Sequence, residues 1–200
     1  MRTPNVTRRI PAVAMLAAVA LLSSCSAPGD IDDTRAPVSL ILSSLVAVGD
    51  DFGDVISDGG VASDSQVTAS FVARLKNSQN TTGPELQEIV IERYEVTYAR
   101  TDGGVSVPAG MQRAVTAKVQ ITPNGQVTEL VTTLTLTLLP SSQKLQPPLS
   151  HLISPGFEPD TGLPTVTVDA TLRFFGHTIA GEEVSAQGSI AVQFANYVGS

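Results

Sequence analysis

The chain of 200 residues has one cysteine, two histidines and no tryptophan, and aromatic side chains make up only 4% of it. Each shortage closes off a chemistry. A single thiol makes no intramolecular disulfide and no Cys-type zinc site. Two histidines confine any Ser-His-Asp catalysis to His151 or His177 as the base. Glycine-rich dinucleotide and P-loop signatures are missing, and so is a nucleophile elbow. With tyrosine only at positions 94, 98 and 197, no aromatic strip offers itself for stacking sugars. The expectation is a protein with no catalytic residues, no cofactor and no metal centre.

What is there begins with a charged and then apolar leader. Arg2, Arg8 and Arg9 come without an acid, the run Ala12 to Leu22 ("AVAMLAAVALL") follows, and the small residues Ser23 and Ser24 close it. These are the three parts of a secretory signal peptide, spanning residues 1–24. As a helix the eleven-residue run rises only about 16 Å, against roughly 30 Å of hydrocarbon, so it is too short for a stable span. Removal is expected.

Leu22-Ser23-Ser24-Cys25 resembles the lipobox of bacterial lipoproteins, a resemblance that covers about the first 25 residues. It implies that Cys25 becomes the first mature residue, joined through its sulfur to a diacylglycerol. One acyl chain holds a protein to a bilayer only marginally, whereas two or more hold it stably. The lone cysteine is therefore read as the lipid attachment site. Ser26, in place of the aspartate that favours inner-membrane retention in Gram-negative lipoproteins, implies the outer membrane where the host has one.

Without residues 1–24 the chain keeps nine basic residues against nineteen acidic ones, a net charge of −10, compared with −7 for the whole. Such a chain repels nucleic-acid phosphates, and no basic stripe offsets this. The expected contacts are a membrane, through the lipid, and an envelope protein partner, with nucleic acid excluded. Residues 26–37 ("SAPGDIDDTRAP") have almost no large apolar side chains and read as a flexible tether. A single domain over residues 38–200 follows.

From Val38 the dominant period is two. Val67, Ala69, Phe71, Ala73 and Leu75 alternate with polar residues, interrupted only by Val72. The pattern recurs in Val115 to Ile121 and in Leu130 to Leu138, and the Asn124-Gly125 pair between them predicts a tight hairpin. "IVIERYEVTYARTDGG" predicts a strand with Val90, Tyr94, Val96 and Tyr98 on its inner face. Val166 to Phe174 and Val184 to Phe194 form two more strands around a turn at Ala180-Gly181-Glu182. With a first strand inside Val38 to Val48, these make about seven strands and no helix in the mature part. They predict an all-β, antiparallel two-sheet sandwich.

The pattern is similar to that of immunoglobulin-like domains, without the Cys and Trp hallmarks of antibody-type members. "IERYEVTYARTDGG" and "AGEEVSAQGSIAVQF" resemble segments of uncharacterised bacterial surface lipoproteins of that fold. This resemblance implies fold and location and brings no activity.

Several segments remain as candidate sites, each with a plainer reading. His177 continues the polar face of its strand and is expected exposed beside a turn. His151 lies in a long connection, Ser141 to Leu163, with four prolines; such a loop is functional, hides a short edge strand, or is a stiff crossover between the sheets. Asp50, Asp51, Asp54, Asp58 and Asp64 cluster in "GDDFGDVISDGGVASDS" and offer the oxygen ligands Ca²⁺ prefers, without EF-hand spacing. Thr133, Thr135 and Thr137 suit either a solvated sheet or a hydrogen-bonding contact surface. "GSIAVQF" suits strand addition at an edge, or a bulge at Gly188. The expected function is a lipid-anchored, non-enzymatic interaction or structural accessory module of the cell envelope. The alternative is a Ca²⁺- or small-ligand-binding module using the Asp50 to Asp58 loop.

Overall fold

A computed structural model describes residues 36–49, 52–57, 60–77, 88–121 and 130–197. The leader, Cys25, most of the tether, Asp50, Asp51, Asp58 and the Asn124-Gly125 pair lie outside the described residues. Seven strands appear: β1 (Val38–Val48), β2 (Ser65–Leu75), β3 (Ile89–Arg100), β4 (Met111–Val119), β5 (Thr132–Leu139), β6 (Thr165–Thr178) and β7 (Glu183–Ala195). They form a three-stranded sheet ordered β1-β2-β5 and a four-stranded sheet ordered β4-β3-β6-β7, with every strand pair antiparallel. This is the all-β, antiparallel two-sheet sandwich that the alternation predicts.

The alternation works because successive side chains leave a strand on opposite faces. Val166, Val168, Ala170, Leu172 and Phe174 of β6 are all fully buried, as are Val67, Ala69, Phe71 and Ala73 of β2. Between the sheets the rings of Phe71 and Phe174 meet edge to face with centroids 4.7 Å apart, a geometry that suits the aromatic quadrupole. These residues belong to one core that reaches all seven strands.

Four expectations need correction. The two strands flanking Asn124-Gly125 do not pair as a hairpin, because β4 hydrogen-bonds to β3 in one sheet and β5 to β2 in the other. The chain has already changed sheets at Ile121, which bridges Ala73 of β2 beyond the point where the β2–β5 pairing stops at Phe71 and Thr132. An Asn-Gly pair signals a turn, and burial decides whether its flanks bond to each other or to separate sheets.

Val90 does not share the inner face with Tyr94. The register of β3 slips between Ile91 and Arg93 against both neighbours: against β6 Glu92 is the extra residue of a bulge, against β4 the extra residue lies on β4, and the buried–exposed alternation of β3 inverts at Glu92. Ile89 and Ile91 face the core before it and Tyr94 and Val96 after it, all 3% exposed or less. Opposite the bulge, a Cβ on Gly176 would lie 2.2 Å from the Val90 carbonyl oxygen, which is why glycine stands there.

Gly188 marks no bulge, since β6 and β7 pair without a slip and Gly188 sits opposite Leu172. The chain after Val38 also has helix, where none was expected: α1 (Ser141–Lys144) and α2 (Ser150–Ile153) are single turns inside the proline-rich connection. No edge strand hides there, and the connection carries the chain from β5 in one sheet to β6 in the other. Among the described residues no helix is long and apolar enough to cross a membrane.

Candidate functional site at the loop end

The antiparallel order brings three connections to one end of the sandwich: β1–β2, β3–β4 and β5–β6. Two segments singled out from the sequence, the acidic loop and the proline-rich crossover, thereby become neighbours. Asp64 accepts the Ser141 N–H at 2.7 Å, at the first turn of α1. That backbone hydrogen bond holds its carboxyl below the usual carboxylate range, against a smaller opposing effect of burial. Lys144, with no exposed surface, donates Nζ to the Asp54 carbonyl oxygen at 2.5 Å.

Asp54 is itself buried, and its carboxylate accepts the Tyr197 N–H at 3.3 Å. The chain on either side of it adds a short rung to β7, with Val55 N–H donating to the Ala195 carbonyl at 2.9 Å and Ala195 N–H to the Gly53 carbonyl at 3.1 Å. Two of the five aspartates are thus committed to backbone groups of this chain. Among the described residues no three His, Cys, Asp or Glu side chains gather as metal ligands.

A feature the sequence reading missed locks the other side of this end. Arg100, at the end of β3, grips Asp102 with Nε at 2.7 Å and Nη2 at 3.0 Å, and Nη2 also reaches Glu158 at 3.2 Å. The three side chains are 3%, 7% and 2% exposed, so little water screens the cluster. Arg100 also donates Nη1 to the Ser106 carbonyl. Asp102 accepts the N–H groups of Thr167 at 2.7 Å and Gly104 at 3.1 Å, while Glu158 accepts from the backbone and hydroxyl of Thr161. Burial pushes the Asp102 carboxyl up, but Arg100 and the two N–H groups outweigh it and hold it at about 2. Burial works against the Arg100 charge too, and its carboxylate partners raise it overall.

Desolvating charges is costly unless they are paired and their remaining valences are bonded. Here both carboxylates and the guanidinium have further partners, and the bidentate Arg–Asp fork fixes direction as well as distance. The cluster therefore ties the β3–β4 loop to the crossover and to the start of β6. Asp160 completes the tie by accepting the N–H groups of Val105 and Ser106 at 3.2 and 3.0 Å. The "RTDGG" run after β3 signalled Arg100 and Asp102 as a local pair, whereas Glu158 is 58 residues away from Arg100 and carried no local signal.

On these tied loops stand apolar side chains in water. Val105 is 82% exposed and Val61 65%, and Phe157, Leu163, Val107 and Tyr197 are exposed with them. At the opposite end only Leu130, Val131 and Ile179 are comparable among the described residues.

The histidines lie apart. His177 is half-buried near the end of β6, less open than the sequence predicts, with its Nδ1 3.4 Å from Glu92 of β3. His151 sits in α2 with its buried Nδ1 unbonded, so no carboxylate orients that nitrogen in the manner of a catalytic triad. Tyr94 and Tyr98 reach across to the other sheet, their hydroxyls donating to the Thr137 and Leu138 carbonyls of β5 at 3.0 and 2.6 Å. Burial raises both phenols above their ordinary range. On the outer face of the β1-β2-β5 sheet the Thr68 and Thr135 hydroxyls meet at 3.5 Å.

No family model, curated protein or solved structure matches this chain.

Proposed function

We propose that this protein is a lipid-anchored cell-envelope β-sandwich, held to the membrane through Cys25, that works without catalysis as an interaction module. Serine at position 26 favours the outer membrane where the host has one. The observation that carries the reading is the loop end: exposed Val105, Phe157 and Leu163 stand on connections fastened by the buried Arg100, Asp102 and Glu158 cluster. Exposed apolar groups cost solubility, and holding them on ordered backbone lowers the entropy lost when a partner covers them. The loop end lies opposite Val38, where the chain enters the sandwich from the tether. β1 alone, eleven residues long, spans about 36 Å at roughly 3.3 Å per residue.

The test combines anchor and contact in the full chain. A photo-crosslinking amino acid is placed at Val105 or at Val131 in cells, with Cys25 intact or changed to Ala. The reading expects a diacylglycerol mass on Cys25 in the membrane fraction and a discrete adduct from position 105 that position 131 does not give. An unlipidated soluble species, or equal adducts from both ends, overturns it.

A further inference from the structure

We infer that the partner taken by the loop end is a cationic protein segment, one whose apolar side chains are flanked by Lys or Arg, and that Asp160 beside Val105 reads its charge. This rests on the contact proposed above and names the chemistry of what fills it.

The two ends of the sandwich differ in sign. Among the described residues, the connections at the loop end carry Asp54, Asp64, Asp102, Glu158 and Asp160 against Lys144 and, where β3 ends, Arg100. Both bases are withdrawn from water, since Lys144 has no exposed surface and the Arg100 side chain only 3%. In sequence the β1–β2 connection adds Asp50, Asp51 and Asp58 and no base. Arg113, near the start of β4, is exposed and offsets Asp64 in part. At the opposite end, where Leu130 and Val131 stand exposed, Lys76 and Lys118 occur with Glu88 and Glu182, so neither sign prevails.

Acid and apolar groups meet at Asp160. Its carboxylate stands in water and accepts the N–H groups of Val105 and Ser106, which fixes a negative charge beside the most exposed apolar side chain of this end. The turn over residues 158–163 is closed by Glu158 N–H to the Leu163 carbonyl at 2.8 Å and by Gly162 N–H to the Glu158 carbonyl at 2.7 Å. Phe157, Asp160 and Leu163 are therefore held on one short loop, two exposed apolar side chains with a carboxylate between them in the chain.

Charge complementarity selects the occupant. A second copy of this end, an anionic bilayer or a nucleic acid brings more negative charge to a surface already in excess of acid. At contact distance salt does not relieve that repulsion, because screening at 0.1 M acts over about 10 Å. A cationic segment is attracted where these are repelled. Single exposed ion pairs contribute little to affinity. Burial of Val105, Phe157 and Leu163 therefore supplies most of the affinity, and the acids supply the choice of partner and the rate of encounter.

The test uses the full chain in discs of zwitterionic lipid, with a photo-crosslinking amino acid at Val107 or at Val131. The probes are two amphipathic peptides with the same leucine face, one carrying Lys and the other Glu on its polar face. From position 107 the Lys peptide should give about tenfold more adduct than the Glu peptide, and lose about tenfold between roughly 50 and 500 mM salt. Val105→Ser and Asp160→Asn should each lower the Lys-peptide adduct about threefold. The asparagine oxygen still accepts the two N–H groups, so Asp160→Asn should keep the wild-type melting temperature; should it not, the salt series on the wild type carries the test. Equal adducts from both peptides, lost in Val105→Ser, overturn the cationic partner and leave the loop-end contact standing. A Lys preference indifferent to both variants, or equal adducts from positions 107 and 131, overturns the partner and the contact together. No adduct from either peptide overturns the cationic partner, and the in-cell adduct from position 105 then decides the contact separately.

Discussion

Leu42 of β1 fills the place that a side chain at Gly188 of β7 would occupy: a Cβ there would lie 2.5 Å from the Leu42 Cδ2. The absence of a side chain on one sheet is the socket for a leucine from the other. Gly176 looks alike in sequence and differs in what blocks it, because its Cβ would meet the Val90 carbonyl oxygen at 2.2 Å and the Ile91 Cα at 2.9 Å. A methyl group on a leucine can turn away, and backbone in a sheet cannot. Denaturant titration should find Gly188→Ala costing about 1 kcal/mol and Gly176→Ala about 3 kcal/mol.

The Asp102 carboxyl, at about 2 in the folded chain against an ordinary 3.8, makes stability depend on acid. A depressed folded value means that the contribution is present in full above the unfolded value, near pH 4, and is lost as pH falls through about 2. The contribution is on the order of 2 kcal/mol. Unfolding free energies measured at pH 5 and pH 2 should fall more steeply for the wild type than for Asp102→Asn. Parallel acid limbs would show that the cluster does not hold this end together.

Removing one member of a buried charge cluster strands the others. Asp102→Ala leaves Arg100 with Glu158 alone among its carboxylate partners and orphans the N–H groups of Thr167 and Gly104. The expected loss at neutral pH is about 3–5 kcal/mol. Hydrogen exchange should show faster opening of the β3–β4 loop, with the β2 core protected until global unfolding.

Asp64 serves the first turn of α1 through the Ser141 N–H, so Asp64→Ala should cost about 1 kcal/mol. Millimolar Ca²⁺ or a chelator should leave the melting temperature of wild type and variant unchanged. A Ca²⁺-dependent rise in the wild type that Asp64→Ala abolishes would show that this loop takes an ion.

The Tyr98 hydroxyl reaches the Leu138 carbonyl in the opposite sheet at 2.6 Å. Tyr98→Phe keeps the ring and removes the tie, leaving a carbonyl short of a partner. A loss of about 1 kcal/mol in unfolding free energy is expected, read by thermal and chemical denaturation.

The strands were legible because their signal is local. Side chains alternate along any strand whatever it pairs with, so Val166 to Phe174 and Val67 to Ala73 declared an inner face directly. The turn at Ala180-Gly181-Glu182 was equally plain, with Gly181 at φ +90°. At the candidate site, Asp54 and Asp64 were legible as acids of one loop, and their work as acceptors for Tyr197 and Ser141 was not.

By itself, then, the sequence determined an all-β sandwich and most of its inward residues, because each is written in neighbouring residues. Only the tertiary structure decided that β4 and β5 part into different sheets, that Glu92 bulges and sends Val90 outward, and that Glu158 joins Arg100 across 58 residues. The physical reason is common to all three. Local geometry fixes which way a side chain points, whereas the partner it meets depends on which arrangement of the whole chain buries the apolar faces and satisfies the charges they bring with them.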